Sequence, residues 1–162
     1  MANFTITPDD MKFMKMAARL AEDNVRAGGG PFGCVITRDG KVVSTGVNTV
    51  TLTNDPTAHA EVNAIRNACR DEKTFNLGGC VVYSSCEPCP MCFSALYWAG
   101  VSRVYYGNTK EDADAINFSD SFIYRQLEKP SVERAIPFIH VEDSGAIKAF
   151  EDWAAKPDKV EY

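Results

Sequence analysis

Long apolar runs, basic clusters, low-complexity tracts and internal repeats are all missing from this chain of 162 residues. Nothing approaches the ~20 consecutive apolar residues of a bilayer-spanning helix, so no membrane partner is expected. Lys and Arg form no block, and the formal net charge is −5. A surface that clamps phosphates usually carries a basic stripe, so this balance argues against nucleic acid as the main partner. The opening residues, Met1–Ile6, show no basic stretch followed by an apolar run, and no export signal is expected. Histidine is scarce, with only His59 and His140. Cysteine is not: there are six, three of them at metal-ligand spacing. Without an export signal, that pattern points to a reducing cytoplasm and metal binding, not to disulfides. A content of 45% hydrophobic residues suits a single domain over 1–162 with a full core.

Helices and strands alternate along the sequence. Thr7-Pro8-Asp9-Asp10 has the marks of a helix start: a hydroxyl cap, an early proline and acids near the positive end of the dipole. Phe13, Met16, Ala17, Leu20 and Ala21 follow at helical spacing, until Gly28-Gly29-Gly30-Pro31 stops the run. Asp39-Gly40 between two apolar stretches predicts a hairpin. A polar loop is expected over 48–55 and a second helix from Thr57. Gly79–Tyr83 predicts a central strand, Pro88 to Gly100 a third helix and Val101–Tyr106 a fourth strand. Residues 110–128 read as helical in pieces. Ile136–Val141 predicts a fifth strand, at an edge because Pro137 cannot donate to a ladder. The last helix is expected from Ser144. The fold class is α/β: a three-layer α-β-α arrangement with a five-stranded mixed sheet.

Two short motifs carry the chemistry. His59-Ala60-Glu61 supplies an imidazole with a carboxylate close by, and Pro88-Cys89-Pro90-Met91-Cys92 supplies two thiols. His59, Cys89 and Cys92 make a three-ligand zinc set, which leaves a fourth tetrahedral position for water, whereas structural zinc is closed by four protein ligands. Each ligand group falls at a predicted helix start, where unpaired backbone N–H groups favour thiolate. Cys86 extends the ladder to C-x-x-C-x-x-C, so a closed site of His59 with all three cysteines is the rival reading. Cys86 precedes Pro88, on the turn before the helix, and is read here as a buried neighbour. Glu61 is the candidate acid–base group; its bland alternative is a first-turn acid serving the helix dipole. Two residues along a helix is a rotation of about 200°. Glu61 therefore reaches the metal's water only if the ion sits beyond the helix's N-terminal end. His140 has the bland reading of a strand residue.

The spacing H-x-E…P-C-x-x-C is the pattern of zinc-dependent nucleobase deaminases. The chain resembles the cytidine-deaminase-like superfamily and, within it, the small zinc-dependent guanine deaminases. The resemblance runs through Gly29–Gly33, Asn54–Glu61, Ser85–Cys92, Tyr97–Ala99, Phe118–Tyr124 and Glu161–Tyr162. The segments Asp55–Glu61 and Glu87–Cys92 are shared with tRNA adenosine deaminases; Phe118–Tyr124 and the tail are the more specific part. The resemblance implies hydrolysis of guanine to xanthine and ammonia, with Asn48 on the purine's carbonyl edge and Phe32 and Trp98 against its ring. It implies Asp120 at the exocyclic amine, the bland alternative being a helix cap, and Trp98 is equally plausible as helix core. It also implies a homodimer whose C-terminal segment, 144–162 and ending in Tyr162, closes its own or the partner's pocket. Ser119 departs from the pattern, which has a second acid beside Asp120. Deamination of cytosine, guanosine or tRNA adenosine stays open, as does a non-catalytic zinc module.

Overall fold

In the computed structural model residues 5–162 are described, so most of the opening segment read for an export signal lies outside them. Helix α1 (Pro8–Arg26) starts where a hydroxyl can close it. Thr7 Oγ1 accepts from the Asp10 amide at 3.1 Å, and the Asp10 carboxylate accepts from the Thr7 amide at 2.8 Å. This reciprocal capping satisfies amides that the first turn leaves unpaired. Strands β1 (Gly33–Arg38) and β2 (Lys41–Val47) form the expected hairpin. Its turn places Asp39 and Gly40 at φ 50° and 72°, the positive values that a tight primed turn requires. The polar stretch that follows holds a short helix, α2 (Val50–Thr53), before α3 (Ala60–Glu72). Strand β3 (Val81–Cys86), helix α4 (Pro90–Trp98) and strand β4 (Arg103–Asn108) then make a parallel crossover unit.

The sheet runs β2-β1-β3-β4, antiparallel except for β3 with β4. Alternation along its strands sends neighbours to opposite faces. Val35 and Tyr83 pack with Phe13 and Ala17 of α1. Cys34, Ile36 and Val82 pack with Ala60, Ala64 and Ala68 of α3 and Leu96 of α4. Helices thus cover both faces. Tyr83 also donates its hydroxyl to Asp10 Oδ1 at 2.7 Å, bolting α1 to the central strand in a buried setting.

Two expectations need correction. Among the described residues the sheet has four strands, not five, and Ile136–Val141 forms none. Pro137 has no N–H to offer, and the next amide, Phe138, donates to Ser131 O at 2.9 Å. That bond folds the segment back on the 3₁₀ turn Ser131–Glu133 and leaves no extended run to pair. His140 accordingly lies in irregular backbone. Helices α5 (Lys110–Ala115), α6 (Asp120–Leu127) and α7 (Ile147–Ala155) complete the chain, the last starting three residues later than expected. The chain divides into two compact units, Met1–Ser121 and Phe122–Tyr162. In the second, Ala135 N donates to Gln126 Oε1 at 2.8 Å and the Arg134 guanidinium lies 5.2 Å from the Phe138 ring centre. No described helix is long and apolar enough to cross a membrane.

The alanine stripe of α3 lets that helix lie close on β2, and Gly46 is the point of contact. A Cβ added there would fall 2.2 Å from Ala60 O and 2.5 Å from Ala64 N. Gly46→Ala must therefore push α3 away from the sheet, and overpacking of this kind costs ~1–3 kcal/mol or more. Gly40→Ala meets nothing within 4 Å and strains only a positive φ. Urea denaturation should show G46A destabilised well beyond G40A; equal midpoints would contradict the close approach.

Candidate active site

Two helix N-termini converge on one point. His59 is the N-cap of α3, in extended backbone at φ −71° and ψ 159°. Cys89 is the N-cap of α4 at φ −63° and ψ 168°, followed by Pro90, whose missing N–H is no loss in a first turn. Cys92 lies in the first turn of α4. Each motif thus places its ligand at a helix end, outside or at the edge of the helical repeat. The rotation argument that separates His59 from Glu61 on a helix does not apply, because His59 precedes the helix. Glu61 enters the same space from the first turn of α3.

His59 Nδ1 lies 3.5 Å from Cys89 Sγ and 3.6 Å from Cys92 Sγ, and the three donor atoms fall within 4.8 Å of one another. Tetrahedral zinc with ordinary Zn–N and Zn–S bonds would separate such donors by about 3.6 Å. The donor set and its spacing fit zinc. The Cys86 thiol is not in this group; it points to Thr109 O at 3.6 Å. Its pKa is pushed up to about 11 by burial and then by the negative charges of Asp120 and Glu61. Of the two ligand thiols, Cys89 is held well below its usual range by the hydrogen bond from Cys92 and by His59, and Cys92 is pushed up by the same contact and by burial.

Glu61 is almost fully buried, and burial raises its pKa. Opposing that, the Ser84 hydroxyl donates to Glu61 Oε1 at 2.7 Å. The two oxygens belong to the first turn of α3 and the middle of β3, so sheet and helix both fix the carboxylate. Sequence reading missed Ser84. Its signal was available: Ser84 shares a strand face with Val82, and a hydroxyl on a face that otherwise packs against alanines needs a partner.

A small cavity opens beside these groups, lined by Phe32, Asn48, His59, Glu61, Cys86, Glu87, Cys89, Phe118 and Asp120. Phe32 and Phe118 meet edge to face, their ring centres 4.9 Å apart. Asn48 is buried, and its Oδ1 already accepts from the Val50 amide at 3.2 Å. What remains is its Nδ2, a donor. Asp120 begins α6, and its carboxyl is pushed up to about 6 by burial and by the Cys89 charge, with Glu61 and Asp114 adding and His59 opposing. Asp114, near the end of α5, accepts the Ser121 hydroxyl at 2.5 Å. It supplies an acidic neighbour in place of the one absent at Ser119. Trp98 is placed elsewhere: it is 69% exposed near the end of α4 and does not line the cavity. Tyr162 belongs to the second unit.

Residues 7–108 match the family described as the cytidine and deoxycytidylate deaminase zinc-binding region. The guanine deaminase of Bacillus subtilis is 48% identical over 93% of this chain and 97% of its own length. A crystal structure of a guanine deaminase from Bacillus subtilis superposes with a TM-score of 0.91 at 48% identity, covering 94% of this chain and 98% of that one. A structure of guanine deaminase from Nitrosomonas europaea gives a TM-score of 0.66 at 29% identity over 73% and 68% of the two chains. The tRNA-specific adenosine deaminase of Aquifex aeolicus is 40% identical over a shorter stretch, 58% of this chain and 62% of its own. The match spans the N-terminal helix, the sheet and both helix ends that carry the ligands: this chain belongs to the cytidine and deoxycytidylate deaminase zinc-binding family.

Proposed function

We propose that this protein is a zinc-dependent guanine deaminase, hydrolysing guanine with water to xanthine and ammonia. The observation that carries the reading is the meeting, in one cavity, of His59 and Cys89 with the buried carboxylate of Glu61 and the free donor of Asn48.

When bound by His59, Cys89 and Cys92, zinc supplies a strongly acidified water near neutral pH. Glu61 takes a proton from the attacking water and returns it to a ring nitrogen of the base. The C–N bond to the exocyclic amine then breaks, and ammonia leaves. Asp120, whose carboxyl exchanges its proton near pH 6, contacts that amine and helps it depart. Asn48 Nδ2 donates to the purine's carbonyl edge, and Phe32, braced by Phe118, packs on the ring. Tyr162 completes the aromatic enclosure in this reading. The support for Tyr162 is chemical: an aromatic ring after Pro157 excludes water well from a small site. A homodimer, with 144–162 closing the pocket of one subunit or its partner, belongs to the same proposal. So do a cytoplasmic location and a single functional domain through Tyr162, the latter supported by the alignment with the Bacillus subtilis enzyme over 93% of the chain.

Ammonia release screened over guanine, guanosine, cytosine, cytidine and adenine should single out guanine and vanish with chelator. Preference for guanosine, cytosine, cytidine or adenine would replace the reading. Glu61→Gln should keep zinc and lose at least ~10²-fold in kcat, the contribution of a positioned acid–base group; parental turnover would remove Glu61 from the mechanism. Ser84→Ala deletes a hydrogen bond to a buried carboxylate, worth ~1.5–3 kcal/mol. A tenfold or greater drop in kcat with KM little changed is expected, largely restored in Ser84→Thr.

A further inference from the structure

Asn24 lies on α1, outside the cavity, yet its buried amide touches both segments that line the cavity's recognition side. Its Nδ2 donates to Gly30 O at 2.8 Å and to Asn48 O at 2.7 Å. Both N–H groups of one planar amide are therefore spent on carbonyls far apart in sequence, one just ahead of Phe32 and one on Asn48 itself. Gly30 O also accepts from the Phe32 amide at 2.9 Å, and the Asn48 amide donates to Phe32 O at 3.2 Å. Gly29 N donates back to Asn24 O at 2.9 Å. These bonds link Asn24, the Gly30–Phe32 turn and Asn48 in a closed loop.

The surrounding sequence is built to admit this contact. A Cβ on Gly29 would fall 2.4 Å from Asn24 Nδ2 and 2.7 Å from Asn48 O. The glycine is thus needed for the approach of the amide, beyond any role in ending α1. Asn24 itself is only 6% exposed, and a polar group in the last turns of an amphipathic helix, facing inward, is not explained by packing on the sheet. A buried amide with both donors used has one geometry available, because the alternative leaves the Asn48 carbonyl unpaired out of water and Gly30 O with the Phe32 amide alone.

We propose that Asn24 is a positioning residue for substrate recognition, holding the Gly30–Phe32 turn against Asn48 at the separation that seats a planar base. It acts through Asn48 and Phe32 and does not touch the substrate. This rests on the reading of Asn48 as a contact to the base. Loss of the clamp should weaken binding of guanine while sparing the chemical step, since Glu61, His59 and the two cysteines are held by α3, α4 and β3 and not by Asn24.

The test is a double-mutant cycle on the zinc-loaded protein, with Asn24→Ala, Asn24→Asp, Asn48→Ala and the combined N24A/N48A variant. Asp keeps the shape of Asn but removes both donors. The expected result is a KM for guanine raised about tenfold by either Asn24 change, with kcat within about threefold and zinc content unaltered. Asn48→Ala should raise KM at least as much, and adding N24A to it should raise KM little further, because the residue being positioned is gone. A structural role for Asn24 alone would give effects that multiply, and that result overturns the proposal. Parental KM in a folded Asn24 variant beside an impaired N48A overturns it as well. Parental KM in N48A overturns the reading of Asn48, and the proposal with it. Failure of both Asn24 variants to yield folded, zinc-loaded protein would make the amide a determinant of the fold and likewise end the proposal.

Discussion

Two helices are aimed, N-terminus first, at the same small volume, and each places a metal ligand at its N-cap. Everything else in the site depends on that convergence. The N-cap is the one helix position with extended backbone and a side chain directed past the helix end. Unpaired amides and the positive end of the dipole also gather there, an environment that favours thiolate. His59 and Cys89 occupy these two positions, while Glu61 and Cys92 come from the first turns behind them. An imidazole, two sulfurs and a carboxylate can meet without any of them crossing a helix surface.

The sheet fixes where those ends fall. α3 is held against β2 by its alanine stripe over Gly46, and α4 follows directly from β3. β3 contributes twice more: Ser84 orients Glu61 from the α3 face, and Tyr83 secures α1 through Asp10 from the other. The central strand therefore connects the carboxylate, the ligand helix and the helix carrying Asn24.

Much of this was legible in residue order. The hairpin at Asp39-Gly40, the capped first helix and the ligand motifs are local signals, decided by turn chemistry, capping and spacing. The fifth strand was not, because an apolar run over 136–141 looks extended until one asks where the Phe138 amide goes. Its answer, Ser131 O, is a tertiary choice that hydrophobic pattern does not encode. Ser84 and Asn24 were overlooked for a related reason. Each is an ordinary polar residue in its own element, and its partner lies on another: Glu61, 23 positions away from Ser84, and Asn48, 24 positions away from Asn24. Trp98 shows the converse, since a motif can carry a residue to a position the cavity does not use.

The central claim is that His59, Cys89 and Cys92 are the whole of the protein's ligand set, with Cys86 engaged at Thr109 and one corner left for solvent and substrate. X-ray absorption at the zinc edge on freshly purified protein tests it most directly. The account predicts two sulfur neighbours and two lighter ones. Three sulfurs and a single light neighbour would place Cys86 on the ion, close the site and contradict a hydrolytic centre.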